Sequence, residues 1–433
     1  MKMNIKRKEN PKIAVLFQSW ININHSYACV NCFQLIHLYK NFKDYIDIYV
    51  QEMPYFRKEW ENSKKLVYTT DYNEILSNLK IWDKNTHIDL VYSITYPYNI
   101  TNIQNYLTGK NIPKCVFYTA EFANLDTSFF YLQERQNTVL TDEIIKNYFK
   151  ENKHIHTIAP SNWSANGMIK YHGVSNSNNH IITHGVDTTI FKKHKDNLIR
   201  NKIRNFYNVK DTDILFLHMG SMTGNKGMLL MIQVMNILVN KMNKKHFKLL
   251  LKGSGNLYQS KMFVDNYFHV LLEQKAMTID EYNNLINKHI IYIDKSFSFE
   301  QINNYYNAAD VYVSPYLCEG FNLSPLESLS SGTSVLVPRT GSTKEYIDDI
   351  YTNYGKDFIY YIDSNMIQAS NGNIQNNITI ENILNTILSN EHNFHKNKNE
   401  EMYTKMLDFI EKEYSWNKVS QLMYNCFSTI LNK

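Results

Sequence analysis

Two glutamates, Glu319 and Glu327, are separated by seven residues in the stretch Ser314-Pro-Tyr-Leu-Cys-Glu-Gly-Phe-Asn-Leu-Ser-Pro-Leu-Glu. The apolar run Val311–Ser314 before them reads as a strand, and the loop after it enters a helix near Ser324. Ser324 suits the N-cap, Pro325 the first helical position and Glu327 the far side of a capping box, with Gly332 ending the helix. A helix start presents free N–H groups and the positive end of its dipole. In an open α/β sheet it lies at the carboxyl edge, where ligands bind. This is an anion site flanked by two carboxylates. The plainer reading makes Glu327 a cap only and Glu319 a solvated loop residue.

Two lysines strengthen the case for phosphate. Strand-like Ile214–His218 leads into Gly220-Ser-Met-Thr-Gly-Asn-Lys226-Gly227, and Phe247–Leu251 ends at Lys252-Gly-Ser-Gly255. In a parallel sheet both lysines leave from the same edge as Glu319. Two ammonium groups beside a helix start can neutralise a diphosphate. Each lysine alone reads equally as a solvated loop residue, and Gly253-x-Gly255 lacks the full dinucleotide fingerprint.

The elements that must position these residues follow a βαβ rhythm. Lys12–Phe17, Ile46–Val50, Asp89–Ser93, Cys115–Thr119, Ile155–Ala159 and Ile181–Thr183 read as strands of a first parallel sheet. Ala28, Cys32, Leu35, Ile36 and Tyr39 form one helical stripe between the first two. A polar stretch, Lys192–Arg204, reads as a linker or an outgoing helix. A second series then runs through Ile214–His218, a helix Met228–Lys241, Phe247–Leu251, Ile290–Ile293, Val311–Ser314 and Ser334–Val337. The fold class expected is α/β, with two Rossmann-like doubly wound parallel-sheet domains facing a central cleft. The expected division is 1–191, 192–413 and a last helix at 414–433. The Asn-rich segment Asp363–Asn399, except for helical Ile380–Leu388, reads as a surface insertion.

The 433 residues suit two domains, and 43% hydrophobic with 20% charged residues is ordinary for a globular chain. A net charge of +5 is too weak to argue for nucleic acid. Five cysteines, Cys29, Cys32, Cys115, Cys318 and Cys426, make no disulfide framework. No run has the length of a signal-peptide core or a membrane span, so a cytoplasmic chain is expected. The basic tail with Lys2, Lys6, Arg7 and Lys8 is either solvated or suited to peripheral contact with a membrane. Cys29-x-x-Cys32 lacks a second pair for zinc and reads as core. Asp211-Thr-Asp213 precedes its strand, at the wrong end of the sheet for substrate. His25, after the first strand, faces the cleft as a polar loop residue or a substrate contact.

Together these blocks resemble the retaining glycosyltransferases of family 4, also called group 1, with the GT-B fold. The resemblance is strongest from Ala309 to Thr333. It extends to Pro160–Ser164 through His184-Gly-Val-Asp187 and Phe191, to Gly220–Gly227, and to Ser415-Trp416 at the start of a closing helix. It implies that Glu319 contacts the donor sugar near the reacting carbon. Backbone N–H groups at Gly320, Phe321, Asn322 and Leu323 would hold the diphosphate. Glu327 would bind the ribose hydroxyls, and Lys226 would neutralise the leaving diphosphate with no metal cofactor. The family places an arginine where Ser221 stands, and Lys252 is the nearest replacement charge. Its first-domain histidine has no clear match; Glu121 is the nearest polar candidate. The donor pocket is expected around Ser296–Phe299. The implied activity is retaining transfer from a nucleoside-diphosphate sugar to a hydroxyl on a glycan, lipid or protein. An inactive scaffold binding a sugar nucleotide or glycan, and a sugar-nucleotide epimerase, are the alternatives.

Overall fold

The computed structural model describes residues 12–62, 68–105, 108–355, 357–370, 372–395 and 399–432. The basic tail with Lys2, Lys6, Arg7 and Lys8 lies outside them. Seven strands build the first sheet: β1 (Ile13–Ser19), β2 (Ile46–Glu52), β3 (Lys80–Ile81), β4 (Leu90–Ile94), β5 (Lys114–Phe117), β6 (Ile155–Ala159) and β7 (Asn179–Ile181). Their order is β3-β2-β1-β4-β5-β6-β7, every pair parallel. The second sheet holds β8 (Ile214–Met219), β9 (Phe247–Lys252), β10 (Ile290–Ile293), β11 (Val311–Val313), β12 (Ser334–Pro338) and β13 (Ile359–Ile362). Its order is β10-β9-β8-β11-β12-β13, again parallel throughout.

All residues of β1 and of β8 are buried, because helices cover both faces of a parallel sheet. In each sheet the strand order reverses beside its first strand, so the crevice outside the carboxyl ends opens there. β8, β9 and β11 are neighbours, and the loops carrying Lys226, Lys252 and Glu319 therefore leave one edge together.

Seven helices matter for the site: α1 (Ser26–Phe42), α2 (Asn162–His172), α3 (Met228–Asn236), α4 (Leu323–Ser330), α5 (Gly341–Ile350), α6 (Glu400–Tyr414) and α7 (Trp416–Ile430). Ser415 caps α7, which crosses back onto α1. There Phe33 and Trp416 stack at 5.2 Å, Phe42 and Tyr424 at 4.5 Å, and His37 Nδ1 lies 2.9 Å from Asn417 Oδ1. Among the described residues no helix is long and apolar enough to cross a membrane.

Of the two readings of Lys192–Arg204, the outgoing helix is the one formed: Leu198–Phe206 is helical, and its Arg204 is buried and bound to the Asp310 carboxylate and to the carbonyls of Asp213 and Lys210. Two expectations change. The segment from Asp363 is no simple surface insertion. Asn365–Gln368 and Ile374–Asn377 form an antiparallel hairpin, and Asn376 is buried. The short edge strand β3 and β13 extend the two sheets beyond the predicted strands; two exposed residues at β3 carry no period to read.

Candidate active site

The loop after β8 turns at Gly227, which adopts φ +72°. A Cβ there would fall 1.9 Å from the carbonyl oxygen of Pro315, so only glycine lets this loop lie against the Glu319 loop. The two loops are tied by Leu317 N–H donating to Asn225 O at 2.7 Å. Lys226 then reaches the Glu319 carboxylate and pairs with it. Glu319 is only 6% exposed.

The Glu319 loop is held from both domains. The carbonyl of Glu319 accepts from Ser342 Oγ at 2.7 Å, that of Gly320 from Ser161 Oγ at 2.8 Å, and that of Asn322 from Tyr346 Oη at 2.6 Å. Among the described residues no side chain caps the start of α4, where a helix leaves its first N–H groups without intrahelical acceptors. Gly320 lies close against the first domain: a Cβ on it would fall 2.8 Å from Thr119 Cβ. Glu345, on α5, reaches across to the first domain, accepting from the backbone N–H of Asn162 at 2.8 Å and of Trp163 at 2.7 Å. It thereby caps α2.

The expected capping box at α4 is not formed. Asn322 takes a left-handed φ of 70° and starts the helix at Leu323, two residues earlier than predicted, with no side-chain cap. Ser324 therefore lies within the helix. Glu327, released from capping, accepts from Tyr306 Oη at 2.8 Å. Burial raises its carboxyl to about 7, against the pull of that hydrogen bond.

Glu121 joins the cluster from the loop after β5. Its Oε2 lies 3.4 Å from Asn225 Nδ2, and its backbone carbonyl accepts from Trp163 Nε1 at 2.9 Å. Burial first, and the Glu319 charge second, lift its carboxyl to about 7, with Lys226 opposing. Burial works against the charge on Lys226, but Glu319 and Glu121 outweigh it and hold the ammonium above its usual range. Two carboxylates from different domains thus share one lysine.

Lys252 ends β9, with its carbonyl accepting from Gly220 N–H at 3.1 Å. Its ammonium lies 5.8 Å from the Phe297 ring, inside the stretch expected to line the donor pocket. Burial lowers its pKa, and Asp294 and Cys29 oppose that. Ser221 is half-buried, its Oγ 2.8 Å from Thr223 Oγ1. The structure brings Glu319, Lys226 and Glu121 into one cluster, with Gly320, Phe321, Asn322 and Leu323 leading from it into α4. Lys252 stands to one side, toward β10.

His25 is neither a plain loop residue nor a free side chain. Its Nδ1 accepts from Tyr27 N–H and caps α1, and its ring sits among Trp20, Tyr27, Trp60 and Tyr258 at 5.0–5.8 Å. Tyr258 comes from the second domain. Cys32 is in the core, as read, and Cys29 packs against it. The residues that sequence reasoning missed are Tyr306, Asn225, Glu345 and Asn376. Each acts through a contact distant in the chain, and only the position of Asn225 beside Lys226 carried a signal.

Residues 213–359, which hold the Lys226, Lys252 and Glu319 loops, match the family described as Glycosyl transferases group 1. That match runs from β8 into β13, and the chain as a whole has the GT-B fold. A glycosyltransferase from Rickettsia africae superposes with a TM-score of 0.63 at 14% identity, covering 98% of this chain and 100% of that one. Sucrose-phosphate synthase from Thermosynechococcus elongatus gives 0.61 at 13%, covering 97% and 100%. HepE of Anabaena, in complex with UDP-glucose, gives 0.60 at 12%, covering 96% and 100%. No curated protein matches the sequence.

Proposed function

We propose that this protein moves a sugar from a nucleoside-diphosphate sugar to an acceptor hydroxyl on a glycan, lipid or protein. In this reading it belongs to family 4, works with retention at the anomeric carbon and needs no metal ion. The observation that carries it is the meeting of Lys226, Glu319 and Glu121 at the domain junction, beside a start of α4 that no side chain caps among the described residues.

In the reaction, negative charge grows on the departing diphosphate. Lys226 and the N–H groups of Phe321, Asn322 and Leu323 stabilise that charge most in the transition state, which makes them catalytic as well as binding groups. Lys252 adds a second positive charge from β9. Glu319 faces the donor sugar near the reacting carbon, and Glu327, freed from capping, binds the ribose hydroxyls. Glu121, held near neutrality at about 7, exchanges a proton on the first-domain side, where the acceptor enters. The domains, divided at 191 and 413, close by bringing Gly320 to Thr119 and expel water that would hydrolyse the donor. The UDP-glucose in the Anabaena neighbour supports a nucleotide-sugar donor. In this reading the chain works in the cytoplasm, and its basic tail is either solvated or suited to peripheral contact with a membrane.

The test is a thermal-shift screen of UDP, GDP, ADP and their sugar conjugates with chelator present. One base should raise the melting temperature. Silence from all of them sinks the reading and favours an inactive scaffold, the alternative motivated by Ser221. Conversion of the donor with no acceptor present identifies an epimerase instead.

A further inference from the structure

His218 lies in β8, two residues before the Gly220 that opens the Lys226 loop, and none of the roles above uses it. It is 1% exposed in β8. Its Nδ1 lies 2.8 Å from the Val313 carbonyl oxygen, which only accepts, so Nδ1 carries the proton of the neutral ring. Nε2 is then a bare lone pair, and it is buried with no hydrogen-bond partner among the described residues. A buried polar atom of this kind costs stability unless something pairs with it.

The direction of Nε2 says what that partner is. A Cβ built on Gly220 would lie 3.5 Å from this nitrogen and meet nothing else within 4 Å. The nitrogen therefore sits under the first glycine of the Lys226 loop. On its other side the ring stacks on Tyr312, at 5.8 Å and 18°. Tyr312 in turn donates to the Met219 carbonyl and contacts the Ser324 hydroxyl in the first turn of α4. His218 thus lies between the loop and the helix start assigned above to the diphosphate.

Charge points the same way. The titratable groups assigned to this site are Lys226, Lys252, Glu121, Glu319, Glu327 and the Tyr312 hydroxyl, of which Lys226 acts on His218 directly and Tyr312 stacks on it. Three carboxylates against two ammonium groups leave little positive charge for a ligand that brings at least two negative ones. A proton taken up with the ligand corrects this.

We propose that His218 binds the nucleoside diphosphate as an imidazolium: a solvent proton adds to Nε2, which donates to a phosphate oxygen, while Nδ1–H stays on Val313. This rests on the reading of the site given above and deepens it. In the free protein burial keeps the ring neutral, with a pKa of about 4; the Val313 carbonyl opposes this shift and Lys226 adds to it. A bound diphosphate supplies the opposite field, which raises the pKa and links binding to proton uptake.

Calorimetric titration of the full chain with UDP, GDP and ADP at pH 7.5, in two buffers of different ionisation enthalpy, tests this. That pH lies above the last ionisation of the phosphate, near 6. H218Q should take up about one proton fewer per ligand bound than the wild type, and bind about tenfold more weakly. Equal uptake in H218Q and wild type overturns the proposal and assigns the protons to Glu121 and Glu327. Should H218Q fail to fold, nitrogen NMR of the wild-type histidines decides. His218 Nε2 should move from an unprotonated to a protonated shift on saturation with UDP, and an unmoved signal overturns the proposal. Absence of binding by all three nucleotides to the wild type removes the diphosphate site itself, and this inference with it.

Discussion

Lys226 and Glu319, which come from loops 93 residues apart, form an ion pair at the junction of the two domains. The lysine proposed above to neutralise a diphosphate is thus held by a carboxylate. Glu319→Gln keeps the shape and releases the lysine. Turnover of the donor should fall by about 100-fold or more, while UDP binds more tightly and the melting temperature barely moves. Wild-type turnover in this variant would show that Glu319 is not at the reacting carbon.

The two lysines should separate. Lys226→Ala removes a charged hydrogen-bond donor and leaves Glu319 buried without a partner. UDP affinity should drop by about 10–100-fold, with a loss of stability alongside. Lys252→Ala should weaken UDP binding without touching the Glu319 pair. Isothermal titration reads both, and unchanged affinity in the Lys252 variant removes it as a replacement for the arginine absent at Ser221.

Two carboxyls, Glu121 and Glu327, are raised to about 7 in the folded chain. The native state therefore binds more protons than the unfolded state between the ordinary glutamate pKa and about 7. Across that window each group's contribution to stability falls as pH rises. Buried histidines shifted downward, such as His184 at about 3, act in the opposite direction. The difference between variants isolates the effect. Glu327→Gln and Glu121→Gln should gain melting temperature relative to wild type as pH goes from 4.5 to 7.5, and parallel curves would contradict the assignment.

Gly320→Ala tests closure. The new Cβ meets Thr119 at 2.8 Å, across the junction and not within one core. The domains should stay further apart, giving a larger radius of gyration by X-ray scattering and a lower kcat, with each domain still folded. An unchanged scattering profile at full activity would mean that this contact is dispensable.

The hairpin after β13 carries a related expectation. Asn376 donates from its side chain to Tyr316 O at 3.0 Å and from its backbone to Leu317 O at 2.7 Å, while Ile374 N–H reaches Phe122 O at 3.1 Å. The hairpin therefore grips the chain just before Glu319 and just after Glu121. Asn376→Ala should cost about 1–3 kcal/mol in denaturant unfolding, because the Tyr316 carbonyl loses its side-chain donor. Turnover should fall with it if the hairpin aligns the two carboxylates.

Much of this protein was legible in the chain itself. Apolar runs such as Ile214–His218 and Phe247–Leu251 are fixed locally by burial on both faces of a parallel sheet. The spacing of Lys226, Lys252 and Glu319 relative to those runs places them at one edge once the strands pair. What the sequence could not decide is which partners those residues meet. Glu327 satisfies a capping-box pattern, yet Asn322 in the left-handed region shifts the helix start and hands Glu327 to Tyr306. The Asn-rich hairpin has no hydrophobic period, because buried backbone carbonyls and not apolar faces hold it in place. Glu121 gains its meaning only when closure brings a second domain's Glu319 and Lys226 beside it. Local pattern sets elements and edges; desolvation and charge at the junction depend on distances that no spacing along the chain contains.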